Sequence, residues 1–247
     1  MTPPSYERRA IQLGIGAATV DTVLPTTLTA GESVDARVDI TGGNDTQEID
    51  GIYFALATRY KTDESTRTAK IETVRVGDSF TIEPDEERTR TVSIDVPAHT
   101  PVTMGTTSVW LDTGLDIDWA VDPDDRDALE IEPDPLRRAL FDAVDSLGFV
   151  LRTAQCEATE SLFSDHRFVQ EFEFVPRSGP FAGDLDELEI VPLPADDGFE
   201  LLLEVDRRSG LLAERLDADE RHERLSLRAG TEDDLEERLR VAIERNC

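Results

Sequence analysis

The chain of 247 residues is long enough for one large core or two ordinary ones, and its 38% hydrophobic content is spread along the whole length, which excludes an acidic disordered polymer. The 25 Lys+Arg against 54 Asp+Glu give a formal net charge of -29, so phosphate backbones and anionic membrane surfaces are disfavoured partners. No apolar run reaches the roughly 18 residues that a bilayer span needs.

Lys61 and Lys70 are the only lysines, every other cation is Arg, and the acids are scattered over every segment instead of forming a tail. This is the pattern of a salt-adapted, archaeal-type protein. Its self-repulsion opposes compaction in dilute buffer and fades in molar salt, where the screening length falls to about 3 Å. The acidity then reports habitat and not substrate.

In chain order, the first ten residues carry Glu7, Arg8 and Arg9 and lead to no apolar signal core, so a cytoplasmic location is expected. From Ala17 to Glu132 the hydrophobic period is two. Val34, Ala36, Val38 and Ile40 alternate with polar neighbours between Gly31 and Gly42, and Ile52, Phe54 and Leu56 repeat the pattern. Ile71, Val74 and Val76 follow, then Val92, Ile94 and Val96. In the last strand Leu115, Ile117, Trp119 and Val121 face one way while Asp116, Asp118 and Ala120 face the other. About eight short strands without an intervening helix predict an antiparallel sandwich over 1–132.

The period changes at Pro133-Asp134-Pro135. Asp134 can cap a helix, Pro135 suits its first turn, and Leu136, Leu140, Ala143, Val144 and Leu147 make one apolar stripe closed by Gly148. Strands are predicted again at 149–156, 168–175, 188–193, 199–205 and 225–227. Phe168, Phe172 and Phe174 share a face, as do Phe199, Leu201, Leu203 and Val205. Thr231 is a candidate cap for a terminal amphipathic helix carrying Leu235, Leu239, Ala242 and Ile243, expected to cover a sheet. A second β-rich unit therefore spans 133–247, with Pro133 to Pro135 as a candidate hinge. The first core is expected to hold Val38, Leu56, Ile94, Ile117 and Trp119, and the second Phe172, Phe174, Leu201 and Leu203.

Residues that carry chemistry are sparse. The histidines are His99, His166 and His222, none in a nucleophile motif, and Ser178 lacks the leading glycine of a nucleophile elbow. Cys156 and Cys247 are too few and too far apart for a disulfide framework or a zinc site, and Cys156 lies in an apolar strand pattern. Gly14-Ile15-Gly16 precedes a β-branched run and opens no helix, so it reads as a lead into a strand and not as a dinucleotide loop. Asp116, Asp118, Asp122, Asp124 and Asp127 fall at calcium-loop spacings. Val121 occupies the turn position that glycine requires, however, and Ala120 a ligand position. No catalytic, cofactor-binding or metal-binding residue is assigned.

The block Gly114-Leu115-Asp116-Ile117-Asp118-Trp119-Ala120-Val121-Asp122-Pro123-Asp124-Asp125-Arg126-Asp127 resembles the sporulation-control protein M family of bacteria and archaea. So do Phe168-Val169-Gln170-Glu171-Phe172-Glu173-Phe174-Val175-Pro176, Ser178-Gly179-Pro180-Phe181 and Leu185-Asp186-Glu187-Leu188-Glu189. Gly14-Ile15-Gly16-Ala17-Ala18 with Val20-Asp21-Thr22-Val23-Leu24, and Gln47-Glu48-Ile49-Asp50, match further signatures. The resemblance runs from 14 to 206 and fades beyond Arg208. It implies an arrestin-like architecture of two β-sandwich units in tandem, acting as a regulatory or adaptor protein without a catalytic motif.

The expected function is thus non-enzymatic binding of a protein or peptide partner, at an exposed strand edge or a concave surface. No cofactor, nucleic acid or membrane insertion is expected, and homo-oligomerisation is left open. The alternatives are a metal-assisted hydrolase built on the region from Asp122 to Asp127, and a small-ligand carrier with a large apolar cavity.

Overall fold

The computed structural model describes residues 17–117, 125–159, 167–207 and 223–246. The chain divides into two compact units. Met1–Thr58, Lys70–Thr100 and Ser108–Ile131 form the first, and Arg59–Ala69, Pro101–Thr107 and Glu132–Cys247 the second.

Among the described residues the first unit is built from strands alone. Strands β1 (Thr19–Val23), β3 (Ser33–Thr41) and β8 (Glu87–Asp95) make one antiparallel sheet in the order β1-β3-β8. Strands β5 (Gly51–Lys61), β9 (Val109–Asp116), β10 (Asp125–Glu132) and β2 (Thr27–Thr29) are neighbours in that order in a second sheet, with β6 (Thr66–Val76) also paired to β5. The short β4 (Gln47–Ile49) and β7 (Phe80–Ile82) pair with each other. The alternation read in β3 is real. Ala36, Val38 and Ile40 are buried and pack in one core with Ile52, Phe54, Leu111 and Leu129 of the other sheet, while Ser33, Asp35 and Arg37 meet solvent. Removing that apolar area from water drives the two layers together, at about 25 cal/mol per Å².

Two local departures from the sequence reading have physical causes. The last strand was expected to run on through Trp119 and Val121, but β9 ends at Asp116, because the Ile117 N–H folds back 3.0 Å onto the Leu115 carbonyl. Trp119 and Val121 lie outside the described residues. Also, β9 is buried from Val109 to Leu115 instead of alternating. Gly114 makes this packing feasible: it stands opposite Tyr53 on β5, and a Cβ there would fall 2.3 Å from the tyrosine ring.

Among the described residues the second unit holds an antiparallel meander of five strands, β11 (Phe149–Ala158), β12 (Phe168–Pro176), β13 (Leu185–Ala195), β14 (Gly198–Arg207) and β15 (Glu223–Arg228). Lys61, at the end of β5, runs parallel beside Glu157 of β11. Helix α1 (Pro135–Ser146) starts as its residues dictate. Asp134 Oδ1 accepts the N–H groups of Leu136 and Arg137 at 2.9 and 3.1 Å, and Gly148 takes the left-handed φ of +88° that ends the segment. Helix α2 (Leu235–Asn246) buries Leu235, Leu239, Ala242 and Ile243, the four positions expected, in one core with Leu140 and Val144 of α1 and Phe172, Leu188, Leu201 and Leu227 of the sheet.

The cap expected at Thr231 is corrected. Its hydroxyl accepts the Arg228 N–H at 3.0 Å and donates to the Arg228 carbonyl at 2.8 Å, closing the turn after β15, and α2 begins at Leu235. The expected core residues Val38, Leu56, Ile94 and Ile117, and Phe172, Phe174, Leu201 and Leu203, are all buried.

Candidate functional site

The aspartates on β9 and at the start of β10 divide among separate tasks. Asp112, buried on β9, accepts from Arg126 Nε and Nη2 at 2.5 and 3.1 Å and from Trp110 Nε1 at 3.0 Å, and the Arg126 guanidinium lies 5.1 Å over the Trp110 ring. Asp116 takes Arg75 Nε at 2.8 Å. Asp125 accepts the Thr22 N–H at 2.8 Å and stands beside Asp127, whose carboxyl is pushed up to about 6 by burial and then by Asp125 and Asp21. Asp118, Asp122 and Asp124 lie outside the described residues, as do Gly14, Gly16, His166, His222 and Cys247. Cys156 is buried on β11, and Ser178 is exposed in the turn after β12, its N–H bonded to the Gly148 carbonyl at 3.1 Å.

A second acidic group escaped the sequence reading. With Phe172 and Phe174 facing the core, the two-residue period turns Glu171 and Glu173 to the opposite face of β12. The register then sets Glu173 opposite Glu189 of β13, and Glu189 opposite Glu204 of β14. Three like charges thus stand side by side across three strands, an arrangement that costs stability. One carboxylate oxygen from each of Glu171, Glu173 and Glu189 lies within 4.8 Å of the others, a geometry able to share a proton or a cation. Burial, then Glu171, Glu204, Glu187 and Glu173, push the Glu189 carboxyl up to about 7. Glu171 is raised by burial and by Glu157. Arg152, at the β11 bulge, reaches Glu187 at 2.6 Å and Glu173 at 3.8 Å. The glutamates were visible as alternating residues; their convergence depends on the register.

The strand edges form a third kind of surface. The Gly42 N–H donates to the Glu86 carbonyl at 2.8 Å and the Val96 N–H to the Glu32 carbonyl at 2.9 Å. Even-numbered residues of β8 therefore turn their main-chain groups toward β3, and Glu87, Thr89, Thr91, Ser93 and Asp95 turn theirs away from it. Among the described residues β8 has β3 as its one neighbour, so this nine-residue edge is open. The opposite edge of the same sheet is closed by side chains, with the Ala18 N–H held by Gln47 Oε1 at 2.6 Å and the Thr22 N–H by Asp125. On β15, Arg238 of α2 occupies the Ser226 carbonyl.

Antiparallel strands in two units, the first a sandwich with the β8 edge open among the described residues, define a mainly β protein of arrestin-like architecture. The chain belongs to the family described as SpoOM protein, whose model matches residues 7–209. The sporulation-control protein spo0M of Bacillus subtilis strain 168 is 41% identical over 209 residues, 83% of this chain and 81% of that protein. The crystal structure of Spo0M from Bacillus subtilis matches with a TM-score of 0.82 at 36% identity, over 94% of this chain and 100% of that one. The likeness in structure thus continues past Arg208, where the likeness in sequence fades.

Proposed function

We propose that the chain is a non-enzymatic regulatory protein that recruits a protein or peptide partner by adding an extended segment to an open sheet edge of its first unit. The observation that carries this reading is the β8 edge, where five residues direct their main-chain groups away from β3. Main-chain pairing along such an edge supplies affinity, and the alternate side chains supply specificity. Kinship to a protein named for sporulation control supports a regulatory role.

The units act as an arrestin-like pair, 1–132 and 133–247, that adjusts about Pro133 to Pro135, in a salt-adapted cytoplasm of archaeal type. At a screening length of about 3 Å, steering over distance is lost and recognition rests on direct contact. Affinity capture in molar KCl, followed by calorimetry of the captured partner at low and molar KCl, tests the reading. The affinity is expected to stay within a few fold; collapse on adding salt counts against it.

A further inference from the structure

Resting on that reading, we propose that β8 is the receiving edge and that the segment it receives carries a carboxylate opposite Arg90. The core-facing row of β8 is Arg88, Arg90, Val92 and Ile94. Val92 and Ile94 are buried, whereas Arg88 and Arg90 are half-buried, with their guanidinium carbons 5.1 and 4.3 Å from the centre of the Phe80 ring. The two arginines are not equivalent. Arg88 pairs with Glu86 at 2.6 Å, but Arg90 has no carboxylate among the described residues; the Phe80 ring is its contact. In a chain with about two acids for every cation, a half-buried guanidinium without an anion is an exception. Beside it is Gly77, where a Cβ would come 3.0 Å from Arg90 Nη1.

A strand added antiparallel to β8 would bond to the outward main-chain groups of Thr89, Thr91 and Ser93. Arg90 would then fall in a non-hydrogen-bonded pair with the incoming residue, the closer kind, with Cα atoms about 4.5 Å apart. A carboxylate at that place completes an Arg pair over an aromatic face. A second copy of β8 does not fit, because its core-facing row carries no acid and would bring arginines to the same edge.

The probe is a labelled peptide of alternating Thr and Val in which one central Val is replaced by Glu, compared with the same peptide carrying Gln or Lys there, titrated by anisotropy in molar KCl. The Glu peptide is expected to bind about tenfold more tightly than the Gln peptide, and the Lys peptide more weakly still. R90Q should abolish the preference for Glu, and R90K should restore part of it. T91P, which removes an outward N–H where an edge strand tolerates proline, should abolish binding of all three peptides. Amide exchange on the unmodified chain should show Thr89, Thr91 and Ser93 protected by the Glu peptide. Equal affinity for Glu and Gln, or a preference that survives R90Q, overturns the proposal. So does an R90Q chain that self-associates while its preference is unchanged, since Arg90 would then serve only to discourage edge-to-edge pairing. Protection on another edge overturns β8 but leaves recruitment by strand addition standing. Failure of every peptide to bind overturns this proposal, whereas the capture experiment judges recruitment itself.

Discussion

Glu189→Gln should make the protein more stable at pH 8. In the fold Glu189 lies between Glu173 and Glu204, and its carboxyl is held at about 7 against an ordinary 4.5. A carboxyl raised on folding holds its proton more tightly in the native state, so the stabilising contribution is complete below about 4.5 and is lost as the pH climbs through about 7. The separation corresponds to about 3 kcal/mol for a fully buried group. Glu189 is only half-buried and solvent screens it, leaving about 1 kcal/mol. Gln has the same shape without the charge. Urea unfolding followed by circular dichroism at pH 5 and pH 8 reads the effect, urea being preferred because guanidinium would itself screen the ladder. A gain of about 1 kcal/mol is expected at pH 8, shrinking at pH 5 and in molar KCl. A loss of stability at pH 8 would refute the reasoning, since it would mean that the three carboxylates hold a cation that Gln cannot hold.

Phe172→Ala empties a fully buried site 5.0 Å from the Phe141 ring and should cost about 3–5 kcal/mol in the same urea assay. Asp134→Ala removes the α1 cap, worth about 1 kcal/mol, and takes the carboxylate from Arg137, 3% exposed, whose Nε lies 2.9 Å from Asp134 Oδ2; the combined cost should reach about 3–5 kcal/mol. Changing Arg137 to Met as well should recover much of it, and an unrecovered double variant would show that the buried charge is not the cause. The thermal midpoint should rise as KCl goes from millimolar to molar, read by differential scanning calorimetry, with salting-out of apolar surface adding to the relief of self-repulsion. A flat or falling midpoint would contradict salt adaptation.

What the sequence made legible were features whose causes are local. Asp134, Pro135 and Gly148 mark α1 within fifteen residues of chain, and the four buried positions of α2 repeat at helical spacing. Alternation located β3, β8 and the meander strands for the same reason. The three-residue strands β2, β4 and β7 are too short to show a period, so the count of about eight falls below the ten strands found up to Glu132 among the described residues. The sites were mostly illegible because they are matters of register and long-range pairing. Glu173, Glu189 and Glu204 meet only once three strands are aligned. Asp125, inside the suspected calcium-like run, in fact holds the amide of Thr22, 103 positions earlier. Arg90 is exceptional for having no carboxylate partner among the described residues, which no spacing rule reports. Thr231 looked like a cap because hydroxyls close turns and start helices with the same hydrogen bonds.

The placement of α2 also has a consequence for synthesis on the ribosome. The first unit needs nothing later than Ile131, whereas the meander of the second unit opens with Phe149 and the core it lines is completed by Ile243. At about 5–20 residues added per second, the apolar side of the growing meander waits about 5–20 s for its last helix. During that interval Phe172, Leu188 and Leu201 have α1 beside them but lack the cover that α2 adds, and a neighbouring nascent chain offers the same sticky surface. The opposite side of those strands carries Glu171, Glu173, Glu189 and Glu204, so two half-made sheets repel each other as they approach. A ladder that weakens the finished protein thus keeps unfinished copies apart.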